Sequence, residues 1–146
     1  MEEFEIRNGH DFLKITLKTV YGFPNVTSHF GGYDTKSILE INANGFNVIA
    51  DIYISTGEIF EFYKNLSFRN DQLRGSIHFE NYETDLEFDL VYDFNGHVNI
   101  KGKFTKQNEL NNMLRFEIKT DQSFIQSALS QLKAITERYG DMTGVK

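Results

Sequence analysis

The stretch DLEFDLVYDFNGHVNIKGKF, residues 85–104, holds two runs of alternating residues around one Asn-Gly pair, and the fold turns on how long that turn is. A two-residue turn at Asn95-Gly96 would set Tyr92, Leu90 and Phe88 across from Asn99, Lys101 and Lys103, mixing core with solvent positions. A three-residue loop, Phe94-Asn95-Gly96, with glycine in a left-handed bulge, instead pairs Tyr92 with Val98 and Leu90 with Ile100, while Phe88 faces Gly102. One face is then apolar, and this register is the expected one. Its other face sets Asp93 across from His97, Asp89 from Lys101 and Glu87 from Lys103, opposite-charge pairs worth roughly 0.2–1 kcal/mol each and less when exposed. Asp85, Glu87 and Asp89 alternate with Leu86, Phe88 and Leu90, as in a half-buried antiparallel strand whose acids face water.

The other Asn-Gly pair lies in SILEINANGFNVIADIYI, residues 37–54, and takes the shorter turn. Two residues at Asn44-Gly45 place Ala43 opposite Phe46, Ile41 opposite Val48 and Leu39 opposite Ala50, so the apolar faces coincide and a type I′ turn is expected. Further period-2 runs, FLKITLKTV, GSIHFE and MLRFEIK, bring the strands to about seven. A four-residue NYET loop would pair Glu80 with Asp85, Phe79 with Leu86 and Ile77 with Phe88, bringing His78 beside Glu87.

Two segments change to helical spacing. STGEIFEFYKNLSF opens with the capping pattern Ser55-x-x-Glu58 and carries Ile59, Phe62, Tyr63 and Leu66. TDQSFIQSALSQLKAITERYG carries Phe124, Ile125, Ala128, Leu129, Leu132 and Ile135, and ends near Gly140. Together these elements predict an α+β fold: an antiparallel sheet of about six to seven strands, in hairpins and a meander, with two helices packed on one face. No repeat, low-complexity tract or break in composition divides residues 1–146. With 146 residues and 40% hydrophobic content, including fourteen Phe and seven Tyr, the chain can bury one sizeable core, and a single domain is expected.

The absence of cysteine removes disulfides, a thiol nucleophile and thiolate-bound zinc, and is compatible with a reducing cytoplasm. The N-terminus MEEFEIRNGHDF lacks a basic segment followed by an apolar one, and no apolar run approaches spanning length; a cytoplasmic protein that meets no membrane is expected. The net charge of −6 argues against nucleic acid as a partner, because phosphate affinity rests on clustered Lys and Arg. A basic partner is the natural expectation.

Catalytic chemistry finds little support in the residues. The histidines at 10, 29, 78 and 97 are far apart in sequence, without H-x-H or H-E-x-x-H spacing, so His78 with nearby carboxylates reads first as a charge network on a wet sheet. There is no G-x-S-x-G elbow, P-loop or G-x-G-x-x-G, and no cofactor or metal is expected. SHFGGYDT, residues 28–35, holds Ser, His and Asp, yet Gly-Gly is turn chemistry first. Phe60, Phe62, Tyr63 and Phe68 on a helix beside a sheet belong to a core before they form a ligand cage.

Two features point to a partner surface. In FNVIADIYI the alternation sends Phe46, Val48, Ala50, Ile52 and Ile54 inward and leaves Ile49, Asp51 and Tyr53 outside, a mixture that suits a protein contact; a covering loop, residues 22 to 35, is the competing reading. From Gly75 to Ile100 there are six acids and no Lys or Arg, so this stretch accounts for the whole net charge. Glu80, Glu83 and Asp85 cluster at its ENYETD tip, where they would steer a basic partner.

The order of hairpins, middle helix, meander and terminal helix, with LRFEIKTDQSFIQSALSQLKAI at residues 114–135, resembles the WapI family of immunity proteins. These are small bacterial cytoplasmic proteins paired with the toxic C-terminal modules of cell-surface polymorphic toxins. The resemblance implies a non-enzymatic inhibitor that binds a cognate toxin, a nuclease being one candidate class. It carries no contact residues, so the candidate site is drawn from the charge pattern: Glu80, Glu83, Asp85, Glu87 and Asp89 for steering, Tyr53 and Tyr82 as anchors. The alternative is a non-catalytic module holding a small apolar ligand between sheet and helices.

Overall fold

A computed structural model describes residues 1–106, 110 and 112–145. Strands β1 (Glu3–Asn8), β2 (Asp11–Val20), β3 (Asp34–Ala43) and β4 (Phe46–Ser55) form one antiparallel sheet in chain order. Helix α1 (Thr56–Gln72) then leads to a second antiparallel sheet, β5 (Ser76–Glu80), β6 (Leu86–Tyr92), β7 (His97–Thr105) and β8 (Met113–Asp121), and α2 (Gln122–Tyr139) follows. The α+β class, the antiparallel pairing and the two helices agree with the sequence reading. Eight strands in two sheets replace the single sheet of six to seven. The extra strand is β1, where only Phe4 and Ile6 alternate inward, a run too short to register as period 2.

Both Asn-Gly turns take the expected lengths. Asn44 and Gly45 have φ of 51° and 88°, both positive as a type I′ turn needs, and Ala43, Ile41 and Leu39 face Phe46, Val48 and Ala50. Gly96 has φ of 78°, and Tyr92, Leu90 and Phe88 face Val98, Ile100 and Gly102. The β5–β6 register is a correction. His78 faces Asp89 and Glu80 faces Glu87, two residues along from the expected pairing. A shift of two leaves every side chain on its own face, so the alternation that chose the other registers could not detect it.

Phe62 shows how α1 joins the sheets. Its ring meets Phe4 of β1 at 6.1 Å, Phe79 of β5 at 5.4 Å and Phe88 of β6 at 5.7 Å between centroids. Loss of such a buried ring costs about 3–5 kcal/mol. Ile59 and Leu66 share its face, whereas Phe68 is turned out and 57% exposed. On α2, Ile125, Ala128, Leu129, Leu132 and Ile135 are buried, and Gln131 Oε1 accepts from the Glu5 amide of β1 at 2.9 Å. Thr120 Oγ1 of β8 donates to the Arg7 carbonyl at 2.8 Å, so β8 lies beside β1. Residues of both sheets and both helices share one hydrophobic cluster.

Candidate partner-binding site

The β5–β6 loop is held by one asparagine. Asn81 Oδ1 accepts from the Leu86 amide at 3.1 Å, while its Nδ2 donates to the Tyr53 carbonyl at 2.9 Å and to Asp85 Oδ1 at 2.6 Å. The Thr84 amide returns to the Asn81 carbonyl at 2.8 Å with Thr84 at φ 59°, closing the loop. This internal bonding is what lengthens the loop past the expected NYET turn. Asp85 is only 8% exposed, so it fastens the loop and presents little charge outward. Glu80 and Glu83 are exposed; Glu87 is half-buried, with Lys103 Nζ at 3.2 Å.

Tyr82, at the loop tip, stacks on Phe30 from a distant part of the chain, with centroids 4.1 Å apart and planes 4° apart. Aromatic pairs of this kind add about 0.5–1.5 kcal/mol to the area buried. Phe30 arrives there because the loop before β3 is laced to the start of α1. Thr56 Oγ1 accepts from the Tyr33 amide at 2.8 Å, the Thr56 amide donates to the Tyr33 carbonyl at 2.8 Å, and the Gly57 amide donates to the Gly31 carbonyl at 3.2 Å. A side chain at Gly57 would place its Cβ 2.6 Å from the Gly31 carbonyl carbon, so glycine is what allows the approach. Residues 28–35 are thus a structural connection, as their Gly-Gly suggested. They do not cover Ile49, which is 66% exposed; Tyr53 is half-buried beside the tip.

Beside the stack lies the capping box of α1. Ser55 Oγ accepts from the Glu58 amide at 3.1 Å, and Glu58 Oε1 accepts from the Ser55 amide at 2.8 Å. Burial nonetheless pushes the Glu58 carboxyl up to about 7; its bonds to Ser55 and the Tyr82 backbone pull it down, and Asp34 adds to the rise. Tyr82 is pushed up to about 12, first by burial and then by Asp34, Glu83 and Glu58. Among the described residues, no Lys or Arg pairs with Glu58, Asp34 or Glu83. Asp34 Oδ1 accepts instead from Ser28 Oγ at 2.6 Å.

On the outer face of β5 and β6, His78 Nδ1 lies 2.8 Å from Asp89 and Nε2 lies 3.3 Å from Glu80. Both acids raise its pKa, Asp89 most. His78, Glu80 and Glu87 bring ligating atoms within 4.8 Å of one another, the only part of the described residues with that metal-like grouping. Each already has a partner in Asp89, His78 or Lys103, so the group works as a charge network. The structure therefore gathers Glu80, Tyr82, Glu83 and Tyr53 at one end of the second sheet, with Asp85 beneath them and Asp89 further along β6. Sequence reasoning missed Phe30, Asp34 and Glu58 as parts of this site; they arrive from the loop before β3, the start of β3 and α1. The Ser55-x-x-Glu58 signature placed Glu58 at a helix start, but nothing in it showed the tip loop folding against that start.

A model of the immunity protein WapI-like family matches residues 4–140, from β1 to the end of α2. Comparison with curated proteins gives no match. No helix among the described residues is long and apolar enough to cross a membrane.

Proposed function

The chain belongs to the WapI-like family of immunity proteins, and on that premise we propose that it is a non-enzymatic inhibitor that binds one cognate toxin module in the cytoplasm and blocks it. The observation that carries the reading is the family match over residues 4–140. The geometry supports a route for it. Glu80 and Glu83 are exposed at the tip, and Glu58 and Asp34 behind them lack a basic partner among the described residues, so the region attracts positive charge. Tyr82 supplies ring surface held by its stack on Phe30, which reduces the entropy lost on docking, and Asn81 ties the Tyr53 backbone to the tip loop beside it. Glu87 and Asp89 contribute less, being paired to Lys103 and His78. An enzyme that handles phosphate carries a basic cleft, and an acidic tip fits such a cleft; a nuclease is the toxin class this chemistry favours.

Co-expression tests the reading. Toxin modules from the source genome are induced one at a time in a sensitive host, with and without this chain. Rescue from one module, with a complex of the two recovered, is the expected result. Failure to rescue from any module that is shown to be made and toxic would overturn it.

A further inference from the structure

Between α1 and the edge strand β5 lies a small concavity of about 170 Å³. Buried Phe62, Phe79 and Ile77 form its apolar part, and Glu58, Glu61 and Glu80 stand around it with no Lys or Arg among the lining residues. Apolar side chains below and carboxylates above match one kind of group: a side chain with an aliphatic stem and a cationic head. We propose that this concavity receives a single arginine or lysine side chain of the toxin, the stem against Phe62, Phe79 and Ile77 and the head among Glu58, Glu61 and Glu80. The inference rests on the toxin-binding reading and names the chemistry by which the tip recognises its partner.

Two observations support the choice of a cation. Among the described residues, the only basic group lining the concavity is His78, and its two nitrogens face Asp89 and Glu80. Glu58 is held up near neutrality because burial is not offset by a positive charge among the described residues, and an incoming guanidinium would supply that charge and release the proton. The other titratable groups around Glu58 are Asp34 from β3, Tyr82 from the tip loop, Glu61 on its own helix, and Glu80 with His78 across on β5. The carboxylates of Asp34, Glu61 and Glu80 add to the field that favours a cation, whereas Tyr82, pushed up to about 12, is uncharged at neutral pH.

The probe is capped arginine amide, with capped citrulline amide, its uncharged isostere, as control, followed through the backbone amide resonances of the 15N-labelled protein. Saturable shifts confined to α1, β5 and the segment around Met142, which also lines the concavity, with a dissociation constant on the order of 10 mM for arginine and none for citrulline, are expected. The Glu61→Gln/Glu80→Gln variant, altered only at surface positions, is expected to weaken binding by about fivefold or more. Glu58→Gln is expected to remove the rise in affinity between about pH 6 and pH 8 that proton release produces in the wild type. Equal shifts with citrulline, shifts elsewhere, or an unchanged affinity in the double variant would overturn the proposal. A silent concavity in a chain that still protects against a toxin would sink this inference alone. A concavity that binds arginine in a chain that protects against none would sink the immunity reading alone.

Discussion

The two turns that flank β6 answer their acids in different ways. At the β6–β7 turn Asp93 is exposed, and its carboxylate accepts from the Asn95 and His97 amides at 2.8 and 3.0 Å, which together with His97 holds its pKa below the usual carboxylate range. At the β5–β6 end Glu58 also accepts backbone bonds, yet burial outweighs them and its pKa rises. The first acid is satisfied by its own turn. The second caps its helix yet has no Lys or Arg beside it among the described residues, and burial decides the sign of its shift.

The largest expected effect breaks the tip end sterically. Gly57→Ala would gain helix propensity, but its Cβ would meet the Gly31 backbone at 2.6 Å, so a loss of about 2–3 kcal/mol in chemical denaturation is expected. At the other end Gly96→Ala meets nothing closer than Gln122 at 3.6 Å, and the cost is the positive φ of 78° alone, about 1 kcal/mol. Equal losses at the two positions would deny that the start of α1 is the tighter joint.

The acids sharpen the contrast through pH. Glu58 has a folded value of about 7 above its usual 4.5, so between these the native state holds more protons and stability falls as pH rises. Glu58→Gln keeps a capping-box side chain and removes that penalty. Discounted for its partial exposure, the gain at pH 8 is about 1–2 kcal/mol, with a flatter stability curve from pH 5 to 7. Asp93 has the opposite sign. Its lowered pKa gives stability that is present above the unfolded value of 3.8 and lost as pH falls through the folded one. Asp93→Asn is therefore expected to lower the melting temperature slightly at neutral pH and by less as pH falls below 3.8; an equal drop at neutral and acid pH would assign the effect to hydrogen bonding without charge.

The same two turns show what the chain reveals before it folds. At Asn95-Gly96 and Asn44-Gly45 an odd slip would have turned apolar residues to water, so alternation and turn chemistry together chose the register. At the tip, the slip was even and invisible, because it depended on Asn81 bonding Tyr53, Asp85 and Leu86 at once. The acids of the candidate site were legible as a charge run. Its other half, Phe30 stacked on Tyr82 and Glu58 against the tip loop, joins residues 52 and 24 positions apart and follows only from how two sheets meet one helix. The division into two sheets was likewise hidden, since each hairpin reads the same whether or not its neighbours lie in one sheet.

The most direct test of the account is titration calorimetry of the rescued toxin module with the wild-type chain and with Glu80→Lys/Glu83→Lys, at low and high salt. Asp85 is left alone because it fastens the loop. The account predicts tight wild-type binding, at least about tenfold weaker binding by the variant at low salt, and a narrower gap at high salt. Equal affinities at low salt would contradict it and move the toxin contact away from the tip.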